Sequence, residues 1–178
     1  MHMDGQRVVS ASTDNERSEQ LRGRWAAYVA SAGAIVYGLP HLWWGMGVSA
    51  MFPGDFQAAG QAGNAAVGYW GFGVFSLVAA AGPLALVQKW GRIFPRWLVL
   101  IPAWLVSAAL TLWGMAYFYL QYFLTVGRVE SAAAFATKDA HPQAAWGLLW
   151  YAVFLVLGIA LGLATWHYQR RTRTHQRA

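Results

Sequence analysis

Four stretches of this chain, 25–47, 66–88, 97–126 and 144–166, contain no Asp, Glu, Lys or Arg, so all seven acids and all thirteen bases lie between or outside them. A helix that crosses a bilayer needs about 20 mostly apolar residues to cover about 30 Å of hydrocarbon. These runs are 23, 23, 30 and 23 residues long, which predicts an all-α, polytopic membrane protein built as a four-transmembrane-helix bundle. Only 11% of the 178 residues are charged, against about 25% in an ordinary soluble domain. Too little charge is present to cover a surface that faces water.

Lys and Arg gather in cytoplasmic segments near the ends of spans. Eleven of the thirteen bases fall in the N-terminal tail, the connection after the second run and the C-terminal tail, and only Arg128 and Lys138 fall elsewhere. Both termini are therefore expected in the cytoplasm, with the 48–65 and 127–143 connections outside. The predicted divisions are a polar, disordered tail over 1–24, a membrane domain over 25–168 and a basic tail over 169–178. A short juxtamembrane helix is expected within the first tail, from the capping-box pattern Thr13-Asp14-Asn15-Glu16. No cleaved signal peptide is expected, because the first 24 residues are polar. The net charge of +6 reads as a topology signal, and no nucleic-acid partner is expected.

Trp25, Trp90, Trp97, Trp166 and Tyr168 suit an inner headgroup belt, and Trp43, Trp44, Tyr69, Trp70 and Trp146 an outer one. Helices in lipid pack through small residues and inward polar groups. Ala30, Ala34 and Gly38 form such a stripe in the first span, with His41 and Gly45 continuing it. The second span offers Gly68, Gly71 and Ala79, the third Ser107, Thr111, Gly114, Phe118, Gln121 and Thr125, and the fourth Gly158 and Gly162. A kink is expected at Gly82-Pro83 and a milder one at Pro102, and Pro142 fits the first position of the last helix.

The chain contains no Cys, which excludes disulfides, thiolate metal sites and a cysteine nucleophile. The only lysines, Lys89 and Lys138, lie outside the spans, which excludes a retinal Schiff base. Gly45-x-Gly47-x-x-Ala50 ends a helix instead of joining a strand to one, so it is no dinucleotide fingerprint. Candidate chemistry gathers at the outer rim, where His41, Asp55, Glu130, Asp139 and His141 lie. Imidazole and carboxylate together suit acid–base work, with His41, Glu130 and Asp139 as the catalytic candidates. Trp43, Trp44, Asp55, Trp113, Tyr117 and Gln121 are the substrate-binding candidates, for a lipophilic small molecule entering from the outer leaflet. The bland alternative is solvated loop charges and helix packing. The sequence requires no cofactor; if a metal or haem is held, His41 and His141 are its ligands.

The segment His41-Leu42-Trp43-Trp44-Gly45-Met46-Gly47 resembles an uncharacterised family of small bacterial membrane proteins with a His-x-aromatic-Trp-x-x-Gly signature at the outer end of the first helix. Trp90-Gly91-Arg92-x-x-Pro95-Arg96-Trp97 is similar as well. The resemblance implies a four-helix architecture in a bacterial inner membrane and draws attention to His41, Trp43, Trp44 and Gly47, but implies no activity. Two functions remain open from the residues. One is an accessory protein that joins a second copy or a larger membrane complex through small-residue seams. The other is an enzyme or binding protein for a lipophilic molecule, centred on His41.

Overall fold

The computed structural model describes residues 3–53, 56–60, 64–128 and 142–174, and every regular element among them is helical. The elements are α1 (Met3–Gly45), α2 (Phe56–Gly60), α3 (Ala65–Ala79), α4 (Ala81–Ala85), a 3-10 turn (Lys89–Ile93), α5 (Arg96–Thr125) and α6 (Pro142–Thr174). Three helical stretches are long and apolar enough to cross a membrane: Ala65–Ala85, Arg96–Thr125 and Trp146–Thr172, with mean hydropathies of 1.5, 1.9 and 2.2. The fourth expected span, 25–47, is not one of these. Its residues include Tyr28, Ser31, Tyr37, Pro40, His41 and three tryptophans, which dilute its apolar character.

The packing explains why that dilution is tolerated. The main contacts run α3 to α1, α1 to α6 and α6 to α5, so α1 and α6 are central and α3 and α5 flank them. A central helix shows less of itself to lipid and can carry more polar groups on its covered sides. Ala27, Ala30 and Ala34 of α1 meet Leu157, Ala160, Leu161 and Ala164 of α6 in the main buried cluster.

Neighbouring helices run antiparallel, joined at sites where one backbone comes close to another helix. Ser107 and Thr111 of α5, expected as one seam, face Gly158 and Gly162 of α6, expected as another. Ser107 Oγ donates to the Gly158 carbonyl at 2.8 Å. A Cβ on Gly158 would stand 2.5 Å from Thr111 Oγ1, and one on Gly162 2.7 Å from Ser107 Oγ. Between α1 and α3, Ser31 Oγ donates to the Ala80 carbonyl at 2.7 Å, and a Cβ on Gly38 would lie 3.0 Å from Ser76 Cβ. Here the expectation needs correcting: α3 packs through Gly73, Ser76 and Ala80, while Cβ atoms on Gly68 and Gly71 would meet nothing within 4 Å.

Several boundaries also differ from expectation. The 1–24 segment, expected to be a disordered tail, continues α1 unbroken from Met3, because extending a helix that already exists needs no new nucleus. For the same reason α6 runs on to Thr174, into the expected basic tail. The break before Pro83 falls at Ala80, between α3 and α4. Pro83 supplies no N–H to the carbonyl four residues back, and its ring crowds that carbonyl, which places the disturbance at Ala79. Pro102 and Pro40 leave α5 and α1 continuous. At their C-terminal ends α1 and α5 close alike. Val48 N–H bonds the Trp43 carbonyl and Gly47 N–H the Trp44 carbonyl; Arg128 and Gly127 do the same to Phe123 and Leu124. Both glycines have positive φ, +87° and +72°, as this helix-ending motif requires.

Candidate functional site

His41 lies where the α1 stripe puts it, on the covered side of the C-terminal end of α1, with 7% of its surface exposed. Tyr37, His41 and Trp44 follow one another at intervals of four and three, so they share one helix face. Their rings are 4.5 Å and 4.7 Å apart between successive centroids. Beyond the helix end the series continues through Phe52, 5.1 Å from Trp44, and Phe56, 5.1 Å from Phe52. Tyr69 of α3 runs alongside, 6.5 Å from His41 and 5.9 Å from Phe52. Phe72 adds a further wall at 6.1 Å from His41. From α6, Trp150 and Phe154 pack on Tyr37 at 6.4 Å and 4.4 Å.

The imidazole is fixed by a bond to its own helix: His41 Nδ1 lies 2.9 Å from the Tyr37 carbonyl. A carbonyl can only accept, so Nδ1 carries the proton and, in the neutral ring, Nε2 is the acceptor. Among the described residues nothing hydrogen-bonds Nε2. This is the tautomer in which a histidine offers Nε2 to a ligand, with the other nitrogen orienting the ring.

A short strap, residues 47–53, passes over this column. Ala50 lends its carbonyl to two indoles, Trp44 Nε1 at 2.8 Å and Trp43 Nε1 at 3.2 Å. Trp150 Nε1 donates to the Met51 carbonyl at 2.9 Å. Phe52 N–H bonds the Ser49 carbonyl, closing a four-residue turn, and Met51 at its third position has φ +60°. That position of a type II turn is a glycine site, and a side chain there is strained.

The predicted site residues divide three ways. His41, Trp43 and Trp44 come together, with the correction that Trp44 is 4% exposed and belongs to the interior, not to an outer belt. Tyr117 is connected at one remove: it stacks on Tyr151 at 3.8 Å, and Tyr151 touches Phe154 at 5.9 Å. Trp113 hydrogen-bonds Tyr151 while exposing half its surface. Gln121 lies one turn past Tyr117, where Thr125 Oγ1 bonds its carbonyl at 2.8 Å, outside the ring column. Asp55, Glu130, Asp139 and His141 lie outside the described residues. Among those that are described, no group of three or more metal-ligating side chains gathers. Sequence reasoning missed Tyr37, Phe52, Phe72, Trp150 and Phe154. The interval from Tyr37 to His41 to Trp44 was the readable signal for the first of them.

Comparison of the chain with protein-family models, with characterised proteins and with solved structures finds no match. The functional reading therefore rests on the geometry of the chain itself.

Proposed function

We propose that this chain is a four-pass protein of the bacterial inner membrane with both termini cytoplasmic, acting as an accessory subunit that associates with a second copy or with a larger membrane complex. The carrying observation is the outward side of α3. Gly68 and Gly71 there, and Gly82 just beyond in α4, have open space where a Cβ would be, although the other small-residue seams are spent on contacts within the chain. Unused small residues on a lipid-facing helix allow a partner helix to approach closely. The α1 segment over 25–47 serves as the fourth crossing, and the bilayer covers the exposed apolar sides of α3 and α5.

The test is stoichiometry in lipid nanodiscs or mild detergent. Wild-type protein is expected to purify as a dimer or with a membrane partner. Gly71→Leu, which meets nothing inside the chain, should release that association without lowering the melting temperature. A protein that is strictly monomeric and partnerless would overturn the reading.

A second reading is favoured by the ring-walled imidazole: a binding protein or enzyme for a lipophilic molecule at the outer end, with Trp43 and Trp44 beside His41. Glu130 and Asp139 are its proposed acid–base partners and Asp55, Trp113, Tyr117 and Gln121 its outer contacts. The haem alternative uses the same free Nε2, with His141 as the second ligand. Purified protein should retain a lipid-soluble compound extractable with organic solvent, and His41→Ala and Trp44→Ala should each reduce its occupancy at least about tenfold, the loss expected for one well-made polar or aromatic contact. Unchanged occupancy in both variants would remove this reading, and a colourless protein would remove haem.

A further inference from the structure

The strap over His41 is held in a way that suggests movement. Its grip consists of indole N–H bonds to the two adjacent carbonyls of Ala50 and Met51, and the Met51 carbonyl is reached from α6, not from the helix that the strap continues. The same residue carries the strained backbone angle. One hydrogen bond from another element, beside the packing of Phe52 on Tyr69, therefore holds a conformation that the local chain disfavours. Beneath it, Trp44 lies between Phe52 and His41 with its indole N–H held by the Ala50 carbonyl, so lifting residues 50–52 frees the ring that covers the imidazole.

We propose that residues 47–53 form a gate over His41, latched by Trp150, and that the site beneath takes a lipophilic molecule bearing a hydroxyl group. This rests on the second reading above and deepens it. The ligand class follows from the donor and acceptor inventory: Nδ1 is committed to the Tyr37 carbonyl, and Nε2 of the neutral ring can only accept, so it matches an O–H donor. The walls of Tyr37, Trp44, Tyr69 and Phe72 suit an apolar body. An aprotic ester or ether of the same shape would leave Nε2 unpaired in a desolvated place, the arrangement by which polar sites reject analogues that lack a donor.

The gate is tested without ligand. Diethyl pyrocarbonate transfers an ethoxycarbonyl group to an accessible imidazole nitrogen, with release of carbon dioxide and ethanol. Its rate at His41 can be followed by peptide mass spectrometry in nanodiscs, with His167 at the opposite end of the bundle as the internal reference. Trp150→Phe keeps a six-membered aromatic ring but loses the N–H with the rest of the indole, and should speed His41 labelling at least about fivefold, the worth of one hydrogen bond. Met51→Gly removes the strain and should slow it about threefold. Equal His41 labelling in wild type and both variants, including none in any of them while His167 reacts, would overturn the gate.

The ligand class is tested on the opened Trp150→Phe protein with two probes, farnesol and farnesyl methyl ether. Farnesol should protect His41 and the ether should not. Protection by both, or by neither, would overturn the hydroxyl assignment, and the gate result is read separately. A loss of bound lipid-soluble compound in His41→Ala tests the binding reading itself, so each part fails by its own measurement. Circular dichroism and melting of Trp150→Phe, matched to wild type, confirm that labelling reports strap opening and not unfolding.

Discussion

Single glycines in this chain have opposite duties, and the side chain each would meet decides which. A Cβ on Gly158 would stand 2.7 Å from the Thr111 backbone nitrogen, and helix backbone cannot move aside as a flexible side chain can. Gly158→Ala should therefore lower stability by about 1–3 kcal/mol, the usual range for overpacking. Gly71→Ala meets nothing within 4 Å and should gain up to about 1 kcal/mol from helix propensity. Thermal unfolding of both variants in one detergent checks the pair: the two melting temperatures should move in opposite directions from wild type. Gly73 differs again, since the Leu42 side chain fills the space its Cβ would take, at 2.6 Å. There the neighbour is the end of a flexible side chain, and a smaller loss is expected than at Gly158.

At the scale of the elements, the hydrophobic runs located the second, third and fourth helices, because an uncharged stretch of that length has few alternatives. The limits of α1 and α6 were harder to read. Before Trp25 the capping-box pattern at Thr13 points only to a short separate helix, yet α1 begins at Met3 and α6 ends at Thr174, carried by continuation of the apolar helices. The seams in α5 and α6 were legible as seams, but their mating was not: Ser107 to Gly162 is a fact of tertiary packing that spacing within one helix does not contain. Spacing does not decide the packing side of α3, because Gly68 and Gly71 match a small-residue pattern as well as Gly73 and Ser76 do. His41 was legible because it continues a stripe of Ala and Gly. Its partners were not, since the rings around it come from four separate segments, and of them only Trp44 and Tyr69 stand in the expected outer belt. The strap was legible only as a loop, because the indole bonds to Ala50 and Met51 depend on where α6 places Trp150.

For the whole molecule, the ends of the long helices fall into two groups. Arg24, Lys89, Arg96 and Arg170 belong to one end of the bundle, where Arg96 Nη2 donates to the Gln169 carbonyl at 3.2 Å and Arg170 lies 4.6 Å over the Trp166 ring. The His41 cluster and its strap belong to the other. Because the chain has no cysteine, single introduced thiols report sidedness without background. In spheroplasts, a membrane-impermeant maleimide should label Ser49→Cys or Ala132→Cys and leave Ala178→Cys unlabelled until the membrane is permeabilised. Labelling of Ala178→Cys before permeabilisation would reverse the proposed orientation. The helix order has a consequence for biosynthesis. The first and last helices are the pair that join the two halves, with Gly23 against His167 and Gly33 against Leu157. The ribosome thus releases one hairpin, α1 with α3, well before the helix that must cover its alanine face exists. With α1 as the proposed fourth crossing, that face has no partner until α6 emerges, so the α1–α3 pair and the α5–α6 pair can join only after α6 has been synthesised.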